Sequence, residues 1–163
     1  MAETDRLPAP VDALCLLLLL PVAGARWTFT PDFWWHLQLG RDALATGAIQ
    51  GVERYSWTAP GVAYQAHSWL TGVLFALVDR IGGLHGVEVL AWAGIVLACR
   101  LVYALGRAWG GGPGAATAGM LLFFGSSFRL LTLRPQLFTF ALLAGLLLLW
   151  KKDGDRRLSG PPG

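Results

Sequence analysis

Apolar runs separated by short polar stretches set the plan of the chain. The first, Ala13 to Ala25, is short for a bilayer at about 1.5 Å per residue. Val11 and Trp27 to Phe29 lengthen it to an expected first span over 11–29, with Arg26 snorkelling. A signal peptide is the alternative, because Ala23-Gly24-Ala25 resembles a cleavage site, but Glu3 and Asp5 outweigh Arg6 ahead of it. Residues 30–66 are too polar to span and too long for a simple turn, and predict a structured outer loop. It opens on an interfacial helix: Thr30 suits the cap, Pro31 the first helical position, Asp32 the first turn and Gly47 the stop. Thr58-Ala59-Pro60-Gly61 predicts a turn between extended segments. The run over 67–83 is short and predicts a juxtamembrane helix ending at Gly82-Gly83. Further spans are expected over 84–108, 113–129 and 135–150, with a polar tail over 151–163. The expected fold is all-α: one membrane-embedded module, a polytopic helical protein with about four transmembrane helices and two juxtamembrane helices in the first outer loop.

Composition agrees with the pattern. Hydrophobic residues make up 55% and charged residues 14%, against about 25% charged in a soluble domain. The mean hydropathy is +0.52. A disordered chain, a disulfide scaffold and a conventional soluble enzyme are excluded. Basic residues flank the apolar runs and form no stripe, so the net charge of +3 reads as topology and no nucleic-acid partner is expected. Lys151, Lys152, Arg156 and Arg157 place the C-terminal tail in the cytoplasm, and four spans then place the N-terminus there too. Arg129 and Arg134 fall on the outer side, against that rule. Cys15 and Cys99 each sit inside an apolar run and read as buried spectators.

Three constellations can carry chemistry. Asp32 and His36, four apart, share one helix face, where they can bind a divalent ion or act as base and partner. A favourable charge in the first turn is the plainer account of Asp32. His67 precedes an apolar helix and can donate to a phosphate, while Ser68 can simply cap that helix. Arg129 and Arg134, with Gln136 beside them, suit an anion clamp or ordinary headgroup contact.

Asp32-Phe33-Trp34-Trp35-His36-Leu37-Gln38-Leu39-Gly40, then His67-Ser68-Trp69-Leu70, then Arg134-Pro135-Gln136-Leu137-Phe138 occur in an order that resembles the amino-terminal module of the GT-C membrane glycosyltransferases. The similarity is greatest to bacterial multi-pass proteins with D-x-W-W-H-L-x-x-G, H-E-W-L and R-P-Q-L-F stretches, and covers roughly 14–150. It implies transfer of a sugar from a polyprenyl-phosphate donor at the outer face of the inner membrane. Asp32 would be the catalytic base, or hold a divalent cation that is. His36, His67, Arg129, Arg134 and Gln136 would bind substrate, the arginines taking the departing phosphate. Ser68 stands where the family pattern has an acid. Proteins of this class are longer, so an amino-terminal piece of a longer enzyme is expected. The rival expectation is a non-catalytic multi-pass protein or degenerate fragment that assembles with a membrane partner supplying further helices. A small transporter fits less well, because the charges lie at span ends.

Overall fold

The computed structural model describes residues 9–17, 29–127 and 133–159. Five helices form among them: α1 (Ala9–Leu17), α2 (Pro31–Thr46), α3 (Trp69–Ala108), α4 (Pro113–Ser127) and α5 (Pro135–Ser159). No strand forms among them, only an isolated bridge between Val52 and Ala63. Two compact units result, one over 29–90 and one holding the described parts of 1–28 and 91–163.

In the 29–90 unit, α2 starts on Pro31 after an extended Thr30 and stops where Gly47 turns left-handed. Thr30 occupies the cap position, but its hydroxyl makes no capping bond. The Phe33 N–H that it would take already donates to the Thr30 carbonyl at 3.0 Å. Phe33, Leu37 and Gly40 form the buried strip of α2, at i, i+4 and i+7. Phe33 packs on Phe75 of α3 and on Phe29, with ring centroids 5.4 and 4.9 Å apart. At the crossing the backbones touch. A Cβ built on Gly40 would sit 1.9 Å from the Gly72 carbonyl oxygen, and one on Gly72 2.5 Å from that of His36. Arg41 closes the contact with an ion pair to Asp79 at 2.7 Å.

The helix α3 bends once. Gly83 has φ 60° and ψ −160°, a non-helical residue between two helical stretches. The bend is sharp enough that a Cβ on Gly86 would lie 3.3 Å from the Val78 side chain. That backbone region is open essentially only to glycine. Gly83→Ala is therefore expected to destabilise the fold by about 1–3 kcal/mol, read as a lower unfolding midpoint in detergent. An unchanged midpoint would contradict it.

In the other unit, α3 buries Ala91, Ile95, Ala98, Cys99 and Tyr103 on one face. α4 buries Ala116, Met120 and Phe124, and α5 buries Leu137, Ala141 and Ala144. A Cβ on Gly106 would touch Ala116, one on Gly94 would press on Leu137, and Phe123 meets Phe140 edge-on at 5.5 Å. Leu121, Leu122, Leu142, Leu143, Leu146, Leu149 and Trp150 face outward.

Among the described residues one helix, α3, is long and apolar enough to cross a membrane, and only 28% of its most apolar window is buried. Its stretch beyond Gly83 measures about 37 Å at about 1.5 Å per residue, against a hydrocarbon core of about 30 Å. α4 has 15 residues, or about 22 Å. The expected span over 11–29 lies largely outside the described residues. The described part of the expected polar tail is helical, since α5 runs through Trp150 to Ser159. Lys151 pairs with Asp155 one turn on, and no proline intervenes before Pro161, so the charged segment continues the helix.

Candidate functional site

Asp32 lies exposed in the first turn of α2, and His36 lies half-buried one turn later on the same face. On one side of them is the strip packed on α3. On the other is the strip formed by Trp35, Gln38 and Asp42, to which the 47–66 loop is latched. Tyr55 donates its hydroxyl to Asp42 Oδ2 at 2.5 Å, and Gln38 Nε2 donates to Asp42 Oδ1 at 2.9 Å. Trp35 Nε1 donates to the Tyr64 hydroxyl at 3.2 Å, and the Trp35 ring meets Tyr55 edge-on. The loop itself is a hairpin. Glu53 N–H donates to Val62 O at 2.8 Å, Gly61 N–H to Glu53 O at 2.9 Å and Tyr64 N–H to Gly51 O at 3.0 Å. Pro60 and Gly61 make its turn, with Gly61 at φ 83°.

Burial raises the Tyr55 pKa above the ordinary phenol value, and the hydrogen bond to Asp42 and that carboxylate's charge add to it. The folded pKa exceeds the unfolded one. The stability of the neutral phenol is thus complete below about pH 10 and is lost as pH climbs through the raised folded value. In a tyrosinate absorbance titration, Tyr55→Phe is expected to remove a step that lies above pH 10 in the wild type. A titration curve of unchanged shape, one phenol smaller at every pH, would contradict it.

The other expected site residues are distributed as follows. His67 is exposed in the turn before α3, with its N–H donating to Gln65 O at 2.9 Å. Arg134 is half-buried just ahead of α5, where its carbonyl accepts from Leu137 N–H at 3.1 Å. Gln136 is exposed in the first turn of α5. Arg129 lies outside the described residues. Asp32, His36 and His67 therefore belong to the 29–90 unit, and Arg134 and Gln136 to the other. Among the described residues no group of three His, Cys, Asp or Glu side chains gathers. Asp32 and His36 supply at most two protein ligands to a divalent cation, whose remaining positions would fall to water or phosphate oxygens.

The latch through Asp42, Tyr55, Trp35 and Tyr64 has no sequence periodicity to announce it. The Gly40–Gly72 crossing does leave a signal. A glycine inside a helix costs about 1 kcal/mol, so two of them at helical positions point to a close approach. The chain matches no family model, no curated protein and no solved structure.

Proposed function

We propose that the chain is a membrane glycosyltransferase-like module taking a sugar from a polyprenyl-phosphate-linked donor. In this reading about four helices span a bacterial inner membrane, the termini are cytoplasmic and the α2 side faces out. The observation that carries it is the placement of Asp32: an exposed carboxylate in the first turn of a helix whose backbone is fixed against α3, with His36 on the same face and the exposed Trp34 and Trp35 beside it. A base held on a rigid element amid interfacial aromatics suits an acceptor arriving in water and a donor arriving in lipid. The outward leucines of α4 and α5 support the membrane part.

Asp32 takes the proton of an acceptor hydroxyl as its oxygen attacks the anomeric carbon. The bond from that carbon to the lipid phosphate breaks, and the phosphate leaves with the electron pair, with His36 and His67 of the same unit in the substrate shell. The second reading is a non-catalytic helical module assembling with a membrane partner. Ser68 in place of the family acid favours it.

The test is sugar transfer from a panel of labelled polyprenyl-phosphate sugars by the full chain in proteoliposomes, beside Asp32→Asn. Transfer lost only in the variant supports the enzyme. Equal activity in both sinks the role of Asp32, and no transfer by either gives the non-catalytic reading the lead.

A further inference from the structure

The 49–62 hairpin turns its large apolar side chains outward. Ile49, Val52, Trp57 and Val62 are all exposed, Trp57 by 92%. A hairpin surrounded by water would be expected to cover such groups or replace them with polar ones. Nor is Trp57 on a slack loop. One Glu53 carboxylate oxygen accepts the Tyr55 and Ser56 N–H groups at 2.7 and 2.8 Å, and the Ser56 and Thr58 hydroxyls bond each other at 3.0 Å. The Tyr55–Asp42 bond then ties the turn to α2.

Charge adds the second half of the argument. Glu53 is the only acid between residues 47 and 66, and Arg54 the only Lys or Arg. The acid is engaged by two backbone donors, while the Arg54 side chain is exposed. The hairpin thus offers an indole, three aliphatic groups and a guanidinium, and turns its one carboxylate onto its own backbone. That complements a lipid headgroup layer: indoles favour the headgroup level, and an arginine meets phosphate oxygens there. We infer that the 49–62 hairpin is a peripheral membrane anchor, inserting Trp57 among the headgroups directly ahead of α3. This inference rests on the membrane part of the function proposed above.

The test uses the full chain labelled with 5-fluorotryptophan, in nanodiscs of equal parts phosphatidylglycerol and phosphatidylcholine. Trp57→Phe and Trp150→Phe assign two fluorine lines. The expected result is that a lipid carrying a nitroxide near its headgroup removes most of the Trp57 intensity, while a water-soluble gadolinium chelate leaves most of it. If the chelate bleaches Trp57 and the nitroxide lipid spares it, while Trp150 responds to the lipid series, the anchor is overturned and the membrane reading stands. If no tryptophan responds to lipid, the membrane reading fails and the anchor falls with it.

Discussion

Gly40→Ala is expected to lower the stability of the 29–90 unit by about 2 kcal/mol. The new methyl would stand 1.9 Å from the Gly72 carbonyl oxygen and 2.8 Å from the Val73 nitrogen. Both are backbone atoms, so no rotamer change relieves the clash, and the helices must move apart. Overpacking of this kind costs about 1–3 kcal/mol and occasionally more. Alanine returns up to about 1 kcal/mol of helix propensity, which does not reverse the sign. Separation would also strain the Arg41–Asp79 pair and the Phe33–Phe75 contact. The control is Gly119→Ala in α4, where nothing lies within 4 Å of the added Cβ. It is expected to be neutral or slightly stabilising. Unfolding midpoints in detergent decide the matter, and equal midpoints for the two variants would refute the backbone contact.

If the chain transfers sugar as proposed, Asp32→Asn is expected to reduce transfer by about 10²–10⁴-fold, the usual worth of a positioned general base. The amide matches the carboxylate in shape. What the fold loses is one negative charge at a helix N-terminus, worth about 0.3–1 kcal/mol. Insertion and the unfolding midpoint should therefore barely change. A structural role would show the reverse pattern, with a lowered midpoint and near-normal turnover.

Much of the 29–90 unit is legible in the sequence, because its punctuation is local. Pro31 and Gly47 bound α2, Pro60-Gly61 turn the hairpin and Gly83 breaks α3. Each acts through its own φ and ψ. The continuation of α5 to Ser159 is less legible, because a cluster of charges resembles a tail until their four-residue spacing is weighed. The candidate site divides along the same line. Spacing alone puts Asp32 and His36 on one face. The Tyr55–Asp42 latch joins residues 13 apart across an irregular loop, and its register follows from packing that no periodic pattern encodes. Arg134 belongs to a different unit from Asp32, and no spacing rule connects them.

The glycine crossing also sets a schedule for synthesis. Gly72 leaves the ribosome after Gly40 by roughly two to six seconds at about 5–20 residues per second. Through that interval α2 has no α3 to receive Phe33 and Leu37. A helix of 16 residues is marginal alone in water. The strip then has no partner within the chain. Under the membrane reading proposed above, Trp34 and Trp35, which stay exposed after folding, would let α2 rest at the headgroup level until Gly72 emerges.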